Sequence, residues 1–190
     1  METFQRHTND DSTEEVSLIL RAQEGDHDAL ERLLLGIYPS LLRYATRMVG
    51  HDNAEDIIQE VLLQICRKLK WLEEPLAFRA WAYRIAHRIS TAHARRERQW
   101  RQQSSDEDTL MNLPANDKQM DADSLTGQLE ALSQNISPRS RSVLVMHYCD
   151  DLSLDEIAII LNIPIGTAKS RLAYGLAALR RLVNPKGVVK

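Results

Sequence analysis

The residues best suited to recognise another molecule lie in a short segment near the C-terminus that begins at Gly166. Five polar side chains follow this glycine at helical spacing: Thr167, Lys169, Ser170, Arg171 and Tyr174. Their hydroxyl, ammonium and guanidinium groups donate hydrogen bonds to base edges and phosphate oxygens. The glycine lets the backbone approach a phosphate closely, and a helix N-terminus adds partial positive charge. These residue types predict a DNA-binding surface.

A second group of candidate contacts lies in the basic stretch that ends near Trp100. On an idealised helix, its polar side chains fall within about 60° of one another: Arg84, His87, Arg88, Thr91 and Arg95. Tyr83 and the loop from Trp71 to Phe78 add aromatic surfaces, which suit single-stranded or unstacked bases because every base has a π-face. A solvated basic face on an amphipathic helix explains the same pattern, so this helix alone leaves both interpretations open.

Catalytic and metal-binding patterns are missing from the sequence. It contains no CxxC pair, no histidine ligand spacing, no phosphate-loop glycines and no carboxylate cluster. We therefore expect no enzyme activity, no metal and no cofactor. Cys66 and Cys149 lie far apart within apolar helical patterns, which predicts buried thiols rather than a disulfide.

The distribution of charge supports contact with nucleic acid. The net charge is only −3, but residues 66–101 hold 10 basic and 3 acidic side chains, and residues 102–130 hold 1 and 7. Basic helices suit phosphate backbones, although such runs are often just solvated faces. The polar N-terminus lacks the apolar core of a secretion signal, and no apolar run is long enough to cross a membrane. We expect a cytoplasmic protein without membrane insertion.

Local signals mark the elements that would position the C-terminal contacts. Ser153 with Glu156 three residues later predicts a capping box at the start of a short helix. Asn162 tolerates the left-handed conformation of a turn, and Pro164 suits the start of the next helix. That second helix is expected to turn its apolar side inward at Ala168, Leu172 and either Ala173 or Leu176. The pattern predicts a helix-turn-helix, with an ordinary packing hairpin as the alternative.

Helical periodicity also dominates the first hundred residues and predicts four helices. They are expected to span about 14–25, 28–48, 52 to the break at Pro75, and 77–100, with a capping box formed by Asp52 and Glu55 at the start of the third. Residues 101–124 are rich in Asp, Ser, Gln and Asn, which predicts a flexible acidic linker. A helix near 125–134 and another capped by Ser137, with Pro138 at its first position, should follow.

We therefore predict an all-α fold made of two small helical domains joined by this flexible acidic linker. The expected boundaries are 14–100 for the first domain, 101–124 for the linker and 125–184 for the second domain, which contains the helix-turn-helix.

Together these segments resemble a bacterial RNA polymerase sigma factor of the extracytoplasmic-function (ECF) group. The resemblance covers about residues 15–100 and 125–182 and is carried by four motifs: AEDIIQEVLLQI at 54–65, FRAWAYRIAHRI at 78–89, SPRSRSVLVMHY at 137–148 and LSLDEIAIILNIPIGTAKSRL at 152–172. It implies an initiation subunit without catalysis of its own, which binds the polymerase core and directs promoter recognition, DNA melting and initiation at a specific regulon.

The resemblance also implies roles for individual residues. Docking on the beta-prime clamp helices of the core would involve Asp56, Gln59, Glu60 and Leu63. The minus-ten promoter element would be bound by Phe78, Arg79, Tyr83, Arg84, His87, Arg88, Thr91 and Arg95. The minus-thirty-five element would be read by Gly166, Thr167, Lys169, Ser170, Arg171 and Tyr174. The beta flap of the core and an anti-sigma protein are the further expected partners.

Three positions depart from the family pattern and leave the promoter sequence open. Arg88 replaces an asparagine, Ala92 replaces an aspartate, and Tyr174 stands where an arginine is common. The competing hypothesis is a conventional helix-turn-helix repressor or activator. Such proteins normally dimerise on two half-sites, and no dimerisation element is evident in the sequence.

Overall fold

The computed structural model describes residues 9–107 and 136–183, and within these ranges the regular elements are helices. The N-terminal part comprises α1 (Asn9–Gln23), α2 (His27–Val49), α3 (His51–Lys68) and α4 (Phe78–Glu107). The C-terminal part comprises α5 (Pro138–Tyr148), α6 (Leu154–Leu161) and α7 (Ile165–Val183). Two single turns of 3-10 helix, Leu69–Trp71 and Pro75–Ala77, connect α3 to α4. The predicted all-α class is confirmed.

The fourth helix is longer than expected, because α4 continues past Trp100 to Glu107. The first residues of the predicted linker are therefore helical. The rest of that linker and the helix expected near 125–134 lie outside the described residues.

Glycines close the two corners between the first three helices. Gly25 has a φ of +99° between α1 and α2, and Gly50 has a φ of +86° between α2 and α3. Both values lie in the region that residues with a Cβ rarely adopt. Asp26 then caps α2 by accepting a 3.0 Å hydrogen bond from the Ala29 amide. Contact with this amide and with the Arg21 guanidinium lowers the pKa of Asp26.

The expected capping box at the start of α3 is wrong. Gly50 is the residue before the helix, and no side chain caps it. The amide of Gly50 donates to the Thr46 carbonyl at 2.8 Å, so the same residue ends α2 and begins α3. Asp52 is already in the first turn of α3, where its carboxylate instead faces the positive end of the helix dipole.

Helices from both halves of the chain share one hydrophobic core. Tyr44, Met48 and Ile58 are fully or nearly fully buried in it, together with Met146 and Ile157 from the C-terminal part. In this arrangement α2 and α4 both pack against α5, and α4 also packs against α6. The C-terminal domain therefore lies directly on the N-terminal one.

The prediction of buried cysteines is also wrong. Cys66 and Cys149 are both free and exposed. Cys66 follows Ile65, whose fully buried side chain takes the core position on α3, and Cys149 lies just past the end of α5. Partial desolvation raises the pKa of the Cys149 thiol.

Candidate nucleic-acid and polymerase interface

The helix-turn-helix is built from the local contacts that its sequence predicts. The Ser153 hydroxyl accepts a 3.2 Å hydrogen bond from the Glu156 amide, and the Glu156 carboxylate accepts a 2.8 Å hydrogen bond from the Ser153 amide. These two bonds complete the capping box. Asn162 ends α6 in the left-handed conformation, with φ 50° and ψ 54°. The carbonyl of Pro164, just before α7, accepts the Thr167 amide at 2.8 Å. The predicted caps and turn are confirmed.

The first turns of α7 present most of the predicted minus-thirty-five contacts to solvent. Lys169, Ser170 and Tyr174 are exposed, as is Gly166, and Tyr174 reaches 73% exposure. Thr167 and Arg171 are half-buried, the latter with its pKa lowered by desolvation and by the nearby charge of Arg139. The predicted minus-thirty-five residues therefore lie together in the N-terminal part of α7.

The opposite face of α7 is fixed by small residues. Ala168 is fully buried, Leu172 and Leu176 are half-buried, and Ala173 is exposed. Gly175 is buried, which the sequence did not indicate. A Cβ at this position would lie 2.6 Å from Cδ1 of Leu144 on α5. The glycine therefore lets α7 lie close against α5.

The predicted minus-ten residues divide into exposed and buried groups. Arg79, Arg84, Arg88 and Arg95 are exposed, His87 is half-buried, and Phe78, Tyr83 and Thr91 are buried. Arg79 pairs with Glu15, its Nε lying 3.0 Å from Oε1. Arg88 donates to the side-chain oxygen of Gln64 on α3. In this arrangement, the buried residues hold α4 in place and do not reach solvent.

Two apolar residues of the α3–α4 connection are exposed, although neither belongs to the predicted minus-ten group. Trp71 is 65% exposed and Leu76 75% exposed. The Lys70 ammonium lies 4.4 Å from the Trp71 ring centroid. The sequence indicated only that the loop from Trp71 to Phe78 supplies aromatic surfaces. It did not show which aromatic residue of the loop faces outward.

His87 is a neutral side chain held by two hydroxyl groups. The Tyr44 hydroxyl lies 3.1 Å from its Nδ1 and the Thr91 hydroxyl 3.2 Å from the same atom. Desolvation, with the charges of Arg171 and Arg95, lowers the pKa of His87 to about 4. At neutral pH, His87 therefore carries no positive charge.

The predicted polymerase-binding residues share the outer face of α3. Asp56, Gln59, Glu60 and Leu63 are all exposed, and Leu63 is 54% exposed. Beside this face is an apolar groove of about 270 Å³ that the sequence did not reveal. Its lining residues are His27, Leu30, Glu31, Leu34, Leu35, Tyr38 and Leu62. The arrangement combines carboxylates with exposed apolar area, as protein-binding surfaces do.

A hydrogen-bonded contact joins the two candidate DNA-binding elements. Nε of Arg84 on α4 donates to the Ile160 carbonyl at 3.0 Å, and Nη2 donates to the Ile159 carbonyl at 2.9 Å. Both carbonyls belong to the last turn of α6, the first helix of the helix-turn-helix. Among the described residues, no cluster of three His, Cys, Asp or Glu side chains could hold a metal ion.

Comparison with known proteins agrees with this geometry. Residues 34–101 match sigma-70 region 2, and residues 126–179 match sigma-70 region 4. The chain belongs to the extracytoplasmic-function sigma factors. It is 28% identical over 184 residues to the ECF RNA polymerase sigma factor SigW of Bacillus subtilis, an alignment that covers 86% of this chain and 93% of SigW.

Two solved complexes each contain a chain that is similar to this ECF sigma factor. CnrH in complex with the cytosolic domain of CnrY has a TM-score of 0.67 at 18% identity, covering 92% of this chain and 99% of that one, which shows the shared fold. The sigma factor RpoE of Bartonella quintana, bound to the anti-sigma factor NepR, has a TM-score of 0.61 at 25% identity, covering 82% and 97%.

The function of this ECF sigma factor follows from its two matched regions. It binds the RNA polymerase core and directs promoter recognition in transcription initiation. No helix in the described ranges is long and apolar enough to cross a membrane.

Proposed function

We propose that this sigma factor binds polymerase and the two promoter elements through three surfaces, each on a different helix. The outer face of α3 docks on the beta-prime clamp helices, α4 with the loop before it binds the minus-ten element, and the start of α7 reads the minus-thirty-five element. The observation that carries this assignment is the two-sided build of α7. Ala168 and Gly175 fix its inner side against the domain, while Lys169, Ser170 and Tyr174 face solvent. That is the arrangement of a recognition helix.

The proposed polymerase surface joins negative charge to apolar area. Asp56 and Glu60 lie one helical turn apart, with Leu63 exposed beside them. Complementary charges steer and align a partner, while burial of the leucine adds hydrophobic free energy. The double variant Asp56→Lys with Glu60→Lys should therefore weaken binding to core polymerase by about tenfold or more.

A matched variant separates docking from general charge effects. Glu24 and Glu73 are also exposed but lie off this face, so Glu24→Lys with Glu73→Lys changes the net charge equally. Binding is measured by titration of labelled core polymerase, with circular dichroism to confirm that both variants fold. Equal affinity of the two double variants would place the docking surface elsewhere.

The minus-ten surface that we propose uses the exposed guanidinium groups of α4, namely Arg84, Arg88 and Arg95. Because Phe78 and Tyr83 are buried, the exposed ring of Trp71 is the aromatic platform best placed in the preceding loop. Stacking of an unpaired base on such a ring contributes about 1–3 kcal/mol, independent of base identity. His87 adds a neutral ring, which can hydrogen-bond a base edge but does not attract phosphates as a cation would.

For the minus-thirty-five element, the proposed reader with the greatest geometric specificity is Arg171. If its guanidinium makes a bidentate base contact, Arg171→Ala should cost about 1–3 kcal/mol at one promoter position. Arg180→Ala is the matched control, because Arg180 is exposed farther along the same helix. Run-off transcription with reconstituted holoenzyme on promoter variants gives the readout. A uniform loss over all sequences would make Arg171 a phosphate contact.

An anti-sigma protein and a cytoplasmic site of action complete the proposal. RpoE of Bartonella quintana was solved in complex with the anti-sigma factor NepR, which supports a regulator of this kind for the present chain. The sigma factor acts without catalysis of its own, since the polymerase core carries out RNA synthesis.

A further inference from the structure

One glutamine side chain joins the end of α1 to the connection between α3 and α4. Nε2 of Gln23 donates to the Leu69 carbonyl at 2.9 Å and to the Leu72 carbonyl at 2.8 Å. The Leu69 carbonyl also accepts a 3.0 Å hydrogen bond from the Leu72 amide, which closes the 3-10 turn. Because both partners of the side chain are acceptors, its amide nitrogen faces them, and its two hydrogens satisfy two carbonyls.

The surroundings of Gln23 explain why it makes these bonds. Ile19, one helical turn earlier on α1, is fully buried in the core, so Gln23 lies on the same side of the helix and is half-buried. The last carbonyls of a helix lack partners within the helix, and such groups are costly to leave unsatisfied away from water. Since α3 ends at Lys68, Gln23 supplies donors that a further helical turn would have supplied.

The same turn carries the exposed ring of Trp71. Leu69 is 2% exposed and anchors the turn in the core, whereas Trp71 is 65% exposed. Little burial holds the indole itself, so its position depends on the backbone on either side of it. Gln23 bonds to one residue before Trp71 and to the residue after it, and therefore holds both sides of that backbone.

A second contact from α1 reaches the other end of the connection. The Glu15 carboxylate accepts hydrogen bonds of 3.0 and 3.2 Å from Nε of Arg79, in the first turn of α4. Glu15 and Gln23 are separated by about two helical turns, so α1 contacts the connection where it begins and where α4 starts. This helix precedes residues 34–101, which match sigma-70 region 2, so that match does not imply its function.

We propose that α1 positions the minus-ten surface, with Gln23 holding the turn that presents Trp71 to an unpaired base. The inference rests on the proposed role of Trp71 as an aromatic platform. Gln23 is a positioning residue, which acts through the backbone of Leu69 and Leu72. Without its two donors the turn samples other conformations. The affinity for DNA then falls with the fraction of chains that keep the binding geometry.

The variant Gln23→Met tests this inference, because methionine keeps the length of the side chain and removes both donors. Gln99→Met is the matched control, since it makes the same chemical change at an exposed position of α4 outside the proposed minus-ten group. Each variant is combined with Trp71→Ala in a double-mutant cycle. The measured quantity is the affinity of holoenzyme, reconstituted at saturating sigma factor, for a fluorescent single-stranded oligonucleotide that carries the minus-ten element of a mapped promoter.

The cycle separates positioning from a general effect on the fold. Trp71→Ala should weaken binding by about five- to 150-fold, which corresponds to the loss of one base stack. Gln23→Met should weaken it by about three- to tenfold in the unsubstituted chain and should add nothing when Trp71 is already alanine. Gln99→Met should leave the affinity unchanged in both backgrounds. A purely structural role of Gln23 would give equal losses with and without the indole.

The opposing results distinguish this inference from the proposed function. If Trp71→Ala leaves the affinity unchanged, the aromatic platform fails and the inference fails with it. If Trp71→Ala weakens binding but Gln23→Met has no effect, or an equal effect in both backgrounds, only the inference is overturned. Urea unfolding of each chain confirms the fold. If Gln23→Met does not unfold cooperatively, Gln23→Asn decides, because its amide is one methylene shorter. It should show the same Trp71-dependent loss, and an additive loss or none would overturn the proposal.

Discussion

The close packing of the recognition helix α7 against α5 can be tested at a single glycine. Gly175→Ala places a Cβ where Cδ1 of Leu144 would be 2.6 Å away, and Cγ 2.9 Å away. Leu144 is 6% exposed, so its side chain has little room to move. Overpacking of this kind costs about 1–3 kcal/mol. Alanine in a helix gains about 0.5–1 kcal/mol over glycine. The net expectation is a loss of about 0–2.5 kcal/mol in the free energy of unfolding.

A second glycine isolates the packing effect. Gly36 lies in the middle of α2 and a Cβ there would meet nothing within 4 Å. Gly36→Ala should therefore show the helix-propensity gain alone, about 0.5–1 kcal/mol. The two variants should differ in free energy of unfolding by about 1–3 kcal/mol, although the chemical change is identical.

Urea unfolding of the full chain, followed by circular dichroism, measures this difference. Minus-thirty-five DNA binding by the holoenzyme gives a functional readout, since a displaced α7 should weaken binding in Gly175→Ala but not in Gly36→Ala. If Gly175→Ala is stabilised as much as Gly36→Ala, the close approach of α7 and α5 is not tight, and the reasoning fails.

Three further predictions concern caps and titrating groups. Ser153→Ala removes the α6 cap and should lower the free energy of unfolding by about 1 kcal/mol; an unchanged urea midpoint would contradict this. Folding lowers the pKa of His87 from 6.5 to about 4. Above pH 6.5 the ring is neutral in both states, whereas between pH 6.5 and 4 the unfolded chain binds a proton that the folded chain does not, so the free energy of unfolding falls. Relative to His87→Gln, the natural chain should lose up to ~3 kcal/mol over that range in urea titrations, and a parallel pH dependence would refute it. Burial raises the pKa of Asp150 from 3.8 to about 6, so its carboxylate opposes folding above pH 6 and this cost is gone below 3.8. Asp150→Asn should be stabilising at pH 7.5 and lose that advantage by pH 4 in thermal melts.

Features fixed by a few neighbouring residues were predictable from the sequence. The Ser153–Glu156 capping box, the left-handed Asn162 and the Ser137 cap of α5 all form as expected. Each depends on hydrogen bonds between groups at most four residues apart, so the local sequence determines it. Asp56 and Glu60, for which the family resemblance implied a docking role, are exposed on the outer face of α3, and the role itself stays a prediction.

Features that depend on tertiary packing were not predictable. The periodicity of α4 placed Thr91 on its polar face, but packing within the shared core buries it. Cys66 lies at the edge of an apolar stripe, and periodicity does not say which flank of a stripe is covered. At the start of α3 the error had another cause. Gly50 both ends α2 and precedes α3, so α3 begins before Asp52 and this residue cannot act as its cap.

The use of Gly50 at the end of α2 and the start of α3 has a mechanical consequence. Gly50 is the single residue between the two helices. Its backbone, at φ +86° and ψ 165°, adopts a conformation that residues other than glycine rarely adopt. The two helices are therefore directly coupled through this one residue. If polymerase docks on the outer face of α3 as proposed, a displacement of α3 reaches the last turn of α2, where the Met48 carbonyl accepts a hydrogen bond from Arg141.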